Sequence, residues 1–161
     1  MTDELSVPKL TKLAETIGFE ITEFTPGRCV VELTIREDNL IAWCVAHVGL
    51  HATLLDTAMG GTLVTTLSKE EWCATAQLDL SYLEPAYVGS HLTAVGEVVR
   101  RGRNLAHLQG EITDQNGKKI AHARGTWAVW EKKPRSLVWL VYDGKGLMMT
   151  HSFAYFDGKG W

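Results

Sequence analysis

The chain has 161 residues, 45% hydrophobic and 22% charged, with a formal net charge of −3. That length makes one ordinary domain, and the apolar fraction suffices for a core, which excludes wholesale disorder. The slight acidity excludes a global electrostatic pull toward nucleic acid or an anionic membrane surface.

From Pro8 to Ile17 the pattern predicts a short amphipathic helix, with proline near its start and Gly18 as its stop. Phe19 to Thr25 and Cys29 to Arg36 read as two strands around the turn Pro26-Gly27. From Leu40 to Leu67 the only carboxylate, lysine or arginine is Asp56. A membrane span of that length is disfavoured by Asp56, two histidines and three glycines. The window reads instead as a loop and then a helix from about Val48 to Leu67, apolar on nearly every side and therefore wrapped by other structure.

The period then changes to two. Trp72, Ala74, Ala76, Leu78, Leu80 and Tyr82 alternate with Cys73, Thr75, Gln77, Asp79 and Ser81. Strands follow over His91 to Arg100, Asn104 to Asp114 and Lys119 to Trp130, the last two joined by the hairpin signal Asn116-Gly117. One curved antiparallel sheet around one apolar helix, an α+β arrangement, is the economical packing of these elements. Residues 1–130 form that domain. Residues 131–161 are a C-terminal extension, read either as a hairpin of Leu137 to Tyr142 and Leu147 to Phe156 or as a disordered tail.

Cys29, Cys44 and Cys73 are odd in number and form no CxxC pair, which fits reduced thiols in a cytoplasmic protein. The N-terminus lacks the basic and apolar stretches of a signal peptide. His47 and His51 share a helical face, but the pattern places no third ligand, so no metal is expected. His51 reads as a satisfied core or interface residue. Arg100, Arg101 and Arg103 crowd one hairpin turn, either as a solvated turn or as forks for phosphates. Trp43 and Trp72 read as pocket walls or as plain core residues.

Ala46-His47-Val48-Gly49-Leu50 with Leu54-Leu55-Asp56-Thr57-Ala58-Met59-Gly60 resembles the central helix of hotdog-fold thioesterases of the PaaI-like type. Leu78 to Ala86, Val98 to Arg103, Asp114 to Lys118 and Ala121 to Thr126 fit that family in the same order, so the resemblance covers about residues 15–130. It implies a hotdog fold and hydrolysis of an acyl-CoA thioester by a homo-oligomer, a dimer or a dimer of dimers. CoA enters as part of the substrate, with no separate cofactor, and Arg100, Arg101 and Arg103 are candidates for its phosphates. Two positions depart from the family: Val48 stands where its first glycine follows the histidine, and Ile41 where many members carry asparagine. Asn39 is near but out of register.

Thioester hydrolysis needs a carboxylate that attacks the carbonyl or activates a water, and donors aimed at the oxyanion. Asp56 is the carboxylate. The amides of Val48 and Gly49, at the helix start, are the donors. His47 borders the thioester and assists the leaving thiolate. Burial disfavours a charged carboxylate, so a donor must hold ionised Asp56, and Thr75 matches the family position where a hydroxyl orients the water. Eight helical residues separate Val48 from Asp56, about 12 Å, so both reach one thioester only from different subunits. The alternatives are a non-catalytic acyl-CoA-binding hotdog module, which Val48 favours, and a hotdog hydratase, for which the Asp38-Asn39-Leu40 segment lacks the required pattern.

Overall fold

The computed structural model of the chain describes Val7, Pro8 and residues 11–133, 140–142 and 147–149. Thr11 accepts the Ala14 amide through its hydroxyl and so starts α1 at Lys12, later than the expected Pro8; α1 spans Lys12–Ile17. Gly18, at φ 91°, ends it in the left-handed conformation that glycine tolerates. Strands β1 (Glu20–Thr25) and β2 (Arg28–Thr34) form the expected hairpin. A short 3-10 turn, Glu37–Asn39, follows and leads to α2, Val48–Val64.

The remaining strands are β3 (Trp72–Tyr82), β4 (His91–Arg101), β5 (Leu105–Asp114) and β6 (Lys119–Trp130). All neighbours pair antiparallel, in the order β1-β2-β4-β5-β6-β3. The sheet wraps α2, as expected for a hotdog fold. Leu54, Leu55, Ala58, Met59 and Leu63 of α2 are fully buried against it. Each large aliphatic side chain so buried contributes about 1.5–3 kcal/mol. The approach is close because Gly96 of β4 and Gly110 of β5 face each other under the helix. A Cβ at Gly96 would lie 2.6 Å from the Met59 Cα, and one at Gly110 2.8 Å from its Cγ.

Two expectations change. The helix ends at Val64 rather than Leu67, because the Thr65 and Thr66 hydroxyls fold back onto the Thr62 and Leu63 carbonyls and the chain turns. The alternation along β3 is broken by a bulge. Thr75 pairs with Trp127 and Gln77 with Thr126, leaving Ala76 with no opposite residue. The bulge switches phase, so Cys73 and Thr75 face the helix before it, and Leu78 and Leu80 pack on the core after it.

Beyond β6, β7 (Leu140–Tyr142) pairs antiparallel with β8 (Leu147–Met149). The rest of the two strands expected there lies outside the described residues. Among the described residues no helix is long and apolar enough to cross a membrane.

Candidate active site

Asp56 sits in the middle of α2, half-buried rather than fully enclosed. The β3 bulge aims Thr75 at it, and the Thr75 hydroxyl donates to Asp56 Oδ1 at 2.8 Å. The second carboxylate oxygen makes no hydrogen bond among the described residues. Asp56 and Thr75 border a cavity of about 220 Å³, with Gly60, Cys73 and Trp127. Burial, with Asp56 nearby, holds the Cys73 thiol up at about 11, so it is protonated and no nucleophile.

Trp127 is the tryptophan at this cavity, where Trp43 and Trp72 were the candidates. It is 2% exposed and pairs across the sheet with Thr75. A Cβ at Gly60 would lie 3.4 Å from its Nε1, so the helix passes the indole at ordinary contact distance. Trp127 follows the inward phase of β6, but that phase alone gives no sign of a cavity. Trp72 instead lies under Lys133, whose ammonium is 4.6 Å from the ring centroid, and Trp43 is exposed.

The helix mouth is organised by His47. As N-cap, its Nδ1 accepts the Gly49 amide at 2.8 Å, which leaves the ring proton on Nε2. The Gly49 donor is therefore occupied, while the Val48 amide makes no hydrogen bond to a described residue. The Val48 side chain stands 46% exposed. Asn39 belongs to the framework: it accepts the Arg36 amide and donates to the Ile17 carbonyl.

His51 lies one turn further in, 2% exposed, with its ring 6.0 Å from that of Tyr82. It is buried as expected but not satisfied, since neither ring nitrogen has a partner among the described residues. Burial first, and then the nearby His47, hold its pKa below the usual histidine value. The arginine turn also differs from expectation. Arg101 pairs with Glu71 and Arg103 with Glu131, so both guanidiniums are engaged; Arg100 makes no such pair among the described residues.

A half-buried, hydroxyl-held carboxylate on the central helix of a hotdog fold defines a class of protein, the hotdog thioester hydrolases. The family model described as "Thioesterase superfamily" matches residues 45–121. A Deinococcus radiodurans protein named "Putative esterase" is 30% identical over 127 residues, 78% of this chain and 84% of that protein. Human acyl-coenzyme A thioesterase 13 is 28% identical over 102 residues, 63% of this chain and 72% of the human one. Of the solved structures, the "Hypothetical Thioesterase Protein" of Streptococcus pneumoniae with coenzyme A is 27% identical. It covers 72% of this chain and 88% of its own, at a TM-score of 0.65. Escherichia coli PaaI, at 24% identity, covers 73% of this chain and 83% of its own and shares the fold at a TM-score of 0.68. The chain belongs to the thioesterase superfamily.

Proposed function

We propose that the chain hydrolyses a small aryl- or medium-chain acyl-CoA to the free acid and CoA, with Asp56 as base or nucleophile. The observation that carries this reading is the Thr75–Asp56 hydrogen bond at the cavity mouth. It holds one carboxylate oxygen and leaves the other to take a proton from water. The hydroxide formed attacks the thioester carbonyl, and the oxyanion is received by the Val48 amide. Collapse of the tetrahedral intermediate expels the CoA thiolate, which takes up the proton that Asp56 drew from water, while the His47 Nε2–H donates a hydrogen bond to the departing sulfur. Acyl-CoA as substrate is supported by the name of the human relative and by the coenzyme A bound to the pneumococcal one.

The Val48 amide and Asp56 come from two copies of the chain. Their separation along one helix, about 12 Å, supports this, and so does β3. It is an edge strand of 11 residues with one side of its backbone unpaired in the single chain, a surface that proteins normally cover. A homodimer, or a dimer of dimers, covers it. The free cysteines fit a cytoplasmic setting.

The test is complementation. Val48→Pro removes one N–H at the first helical position, where proline is tolerated, and Asp56→Asn removes the base. Each variant alone is expected to lose about 100-fold or more in kcat. A mixed oligomer regains activity, because one of its sites draws an intact amide and an intact carboxylate from different chains. No recovery in a verified mixed oligomer contradicts the composite site.

A further inference from the structure

Trp43 is 83% exposed, on a loop built to hold it in place. Leu40 and Ala46 pair in an isolated antiparallel bridge, and the Ile41 amide donates to the Val45 carbonyl at 2.9 Å. Cys44 donates to the Ile41 carbonyl, and Ala46 ties the loop to the Ala86 carbonyl at 2.8 Å. Cys44 sits at φ 60°, a left-handed conformation that strains a residue with a Cβ. A pinned, strained loop thus displays the largest apolar side chain available, beside exposed Ile41 and Val48, and its own chain packs little against it.

We propose that Trp43 is a specificity-determining residue, presented by one subunit to the site assembled on Asp56 of the other, where its indole packs on a ring-sized aryl acyl group. The inference rests on the composite-site reading. Trp43 precedes Val48 by five residues, so the two are at most about 17 Å apart. Trp43 therefore lies at the same end of the central helix as the Val48 amide, the end that the composite site brings to the partner's Asp56.

The size of that group follows from the cavity. It holds about 220 Å³, and an apolar cavity of about 150 Å³ accepts benzene. A single ring fits the part of the site that one chain supplies. Trp127 already provides one aromatic wall, and an offset ring pair adds attraction that an alkyl group does not share. Trp43 provides the second wall and closes the site over the ring.

The readout is the ratio of kcat/KM for benzoyl-CoA to that for acetyl-CoA. In Trp43→Ala this ratio is expected to fall by about 10-fold, and Trp43→Phe recovers part of it. The oligomer mass is unchanged. A mixed oligomer of Trp43→Ala and Asp56→Asn chains keeps the wild-type ratio, because its one working Asp56 is served by the intact Trp43 of the other chain. The proposal is overturned by equal losses on both substrates, by no change in the ratio, or by dissociation into single chains. It is also overturned if the mixed oligomer shows the Trp43→Ala ratio. Failure of the underlying composite-site reading shows separately, as no recovery of activity in a mixed oligomer of Val48→Pro and Asp56→Asn chains.

Discussion

The Thr75 hydroxyl donates to Asp56 Oδ1 at 2.8 Å, from a strand whose bulge falls at the next residue. This bond orients the carboxylate. A hydrogen bond to a charged group is worth about 1.5–3 kcal/mol, so Thr75→Ala is expected to lower kcat by about 10- to 100-fold. Thr75→Ser keeps the hydroxyl and restores most of the rate. Steady-state kinetics of both variants, with thermal melts to confirm folding, check this.

His47 caps α2 by accepting the Gly49 amide at Nδ1, and in the proposed mechanism its Nε2–H serves the leaving thiolate. His47→Ala is expected to lose about 1 kcal/mol of stability, the usual worth of an N-cap. His47→Asn keeps a capping acceptor but removes the Nε2–H donor, so its melting temperature holds while kcat falls. Melting curves and kinetics on the same two variants distinguish the roles.

His51 makes the fold sensitive to acid. Its pKa in the folded chain lies below the ordinary value, so between the two the unfolded chain binds the proton and the folded chain does not. Stability is therefore full above the ordinary value, about 6.5, and is lost as pH falls through it toward the folded value. The groups in view are His47 and the Tyr82 ring, and neither offsets a buried cation. His51→Leu is expected to flatten the melting temperature between neutral pH and pH 5, as measured by calorimetry.

The arginine turn divides by partner. Arg101 is held by Glu71 and by the Arg103 carbonyl, so Arg101→Ala is expected to cost stability more than substrate affinity. Arg100 makes no ion pair among the described residues, and in the proposed function it is the guanidinium that meets a CoA phosphate. Arg100→Ala should raise KM for CoA thioesters, with a weaker salt dependence than wild type, and leave the melting temperature in place. KM titrations in increasing salt measure this.

Much of the fold was legible because its signals are local. The Asn116-Gly117 turn gave β5 and β6 within a residue, and the charge-free window around Asp56 gave a wrapped central helix. Thr75 was found through a family position, yet strict alternation placed it on the face opposite Leu78. The bulge at Ala76 reverses that, and a bulge has no composition mark in a run of small residues. The His47 cap was missed because capping is usually read from Ser, Thr, Asp or Asn. It turns the expected pair of amide donors into one. Trp127 escaped notice because it borders a cavity with Asp56 and Thr75 from other elements, a long-range relation invisible to periodicity. The arginines were read either as a solvated turn or as forks for phosphates, and the carboxylate partners of Arg101 and Arg103 lie 30 and 28 residues away in sequence, beyond any local pattern.

The central claim is that Asp56 is the group on which hydrolysis turns, and Asp56→Asn tests it most directly. Asparagine keeps the shape and an oxygen for the Thr75 hydroxyl but cannot take a proton from water or attack as a carboxylate. Thioester cleavage, followed by release of free thiol with benzoyl-CoA as substrate, is predicted to fall by about 100-fold or more, with the melting temperature and CoA affinity retained. Wild-type turnover in a folded Asp56→Asn protein would contradict the account.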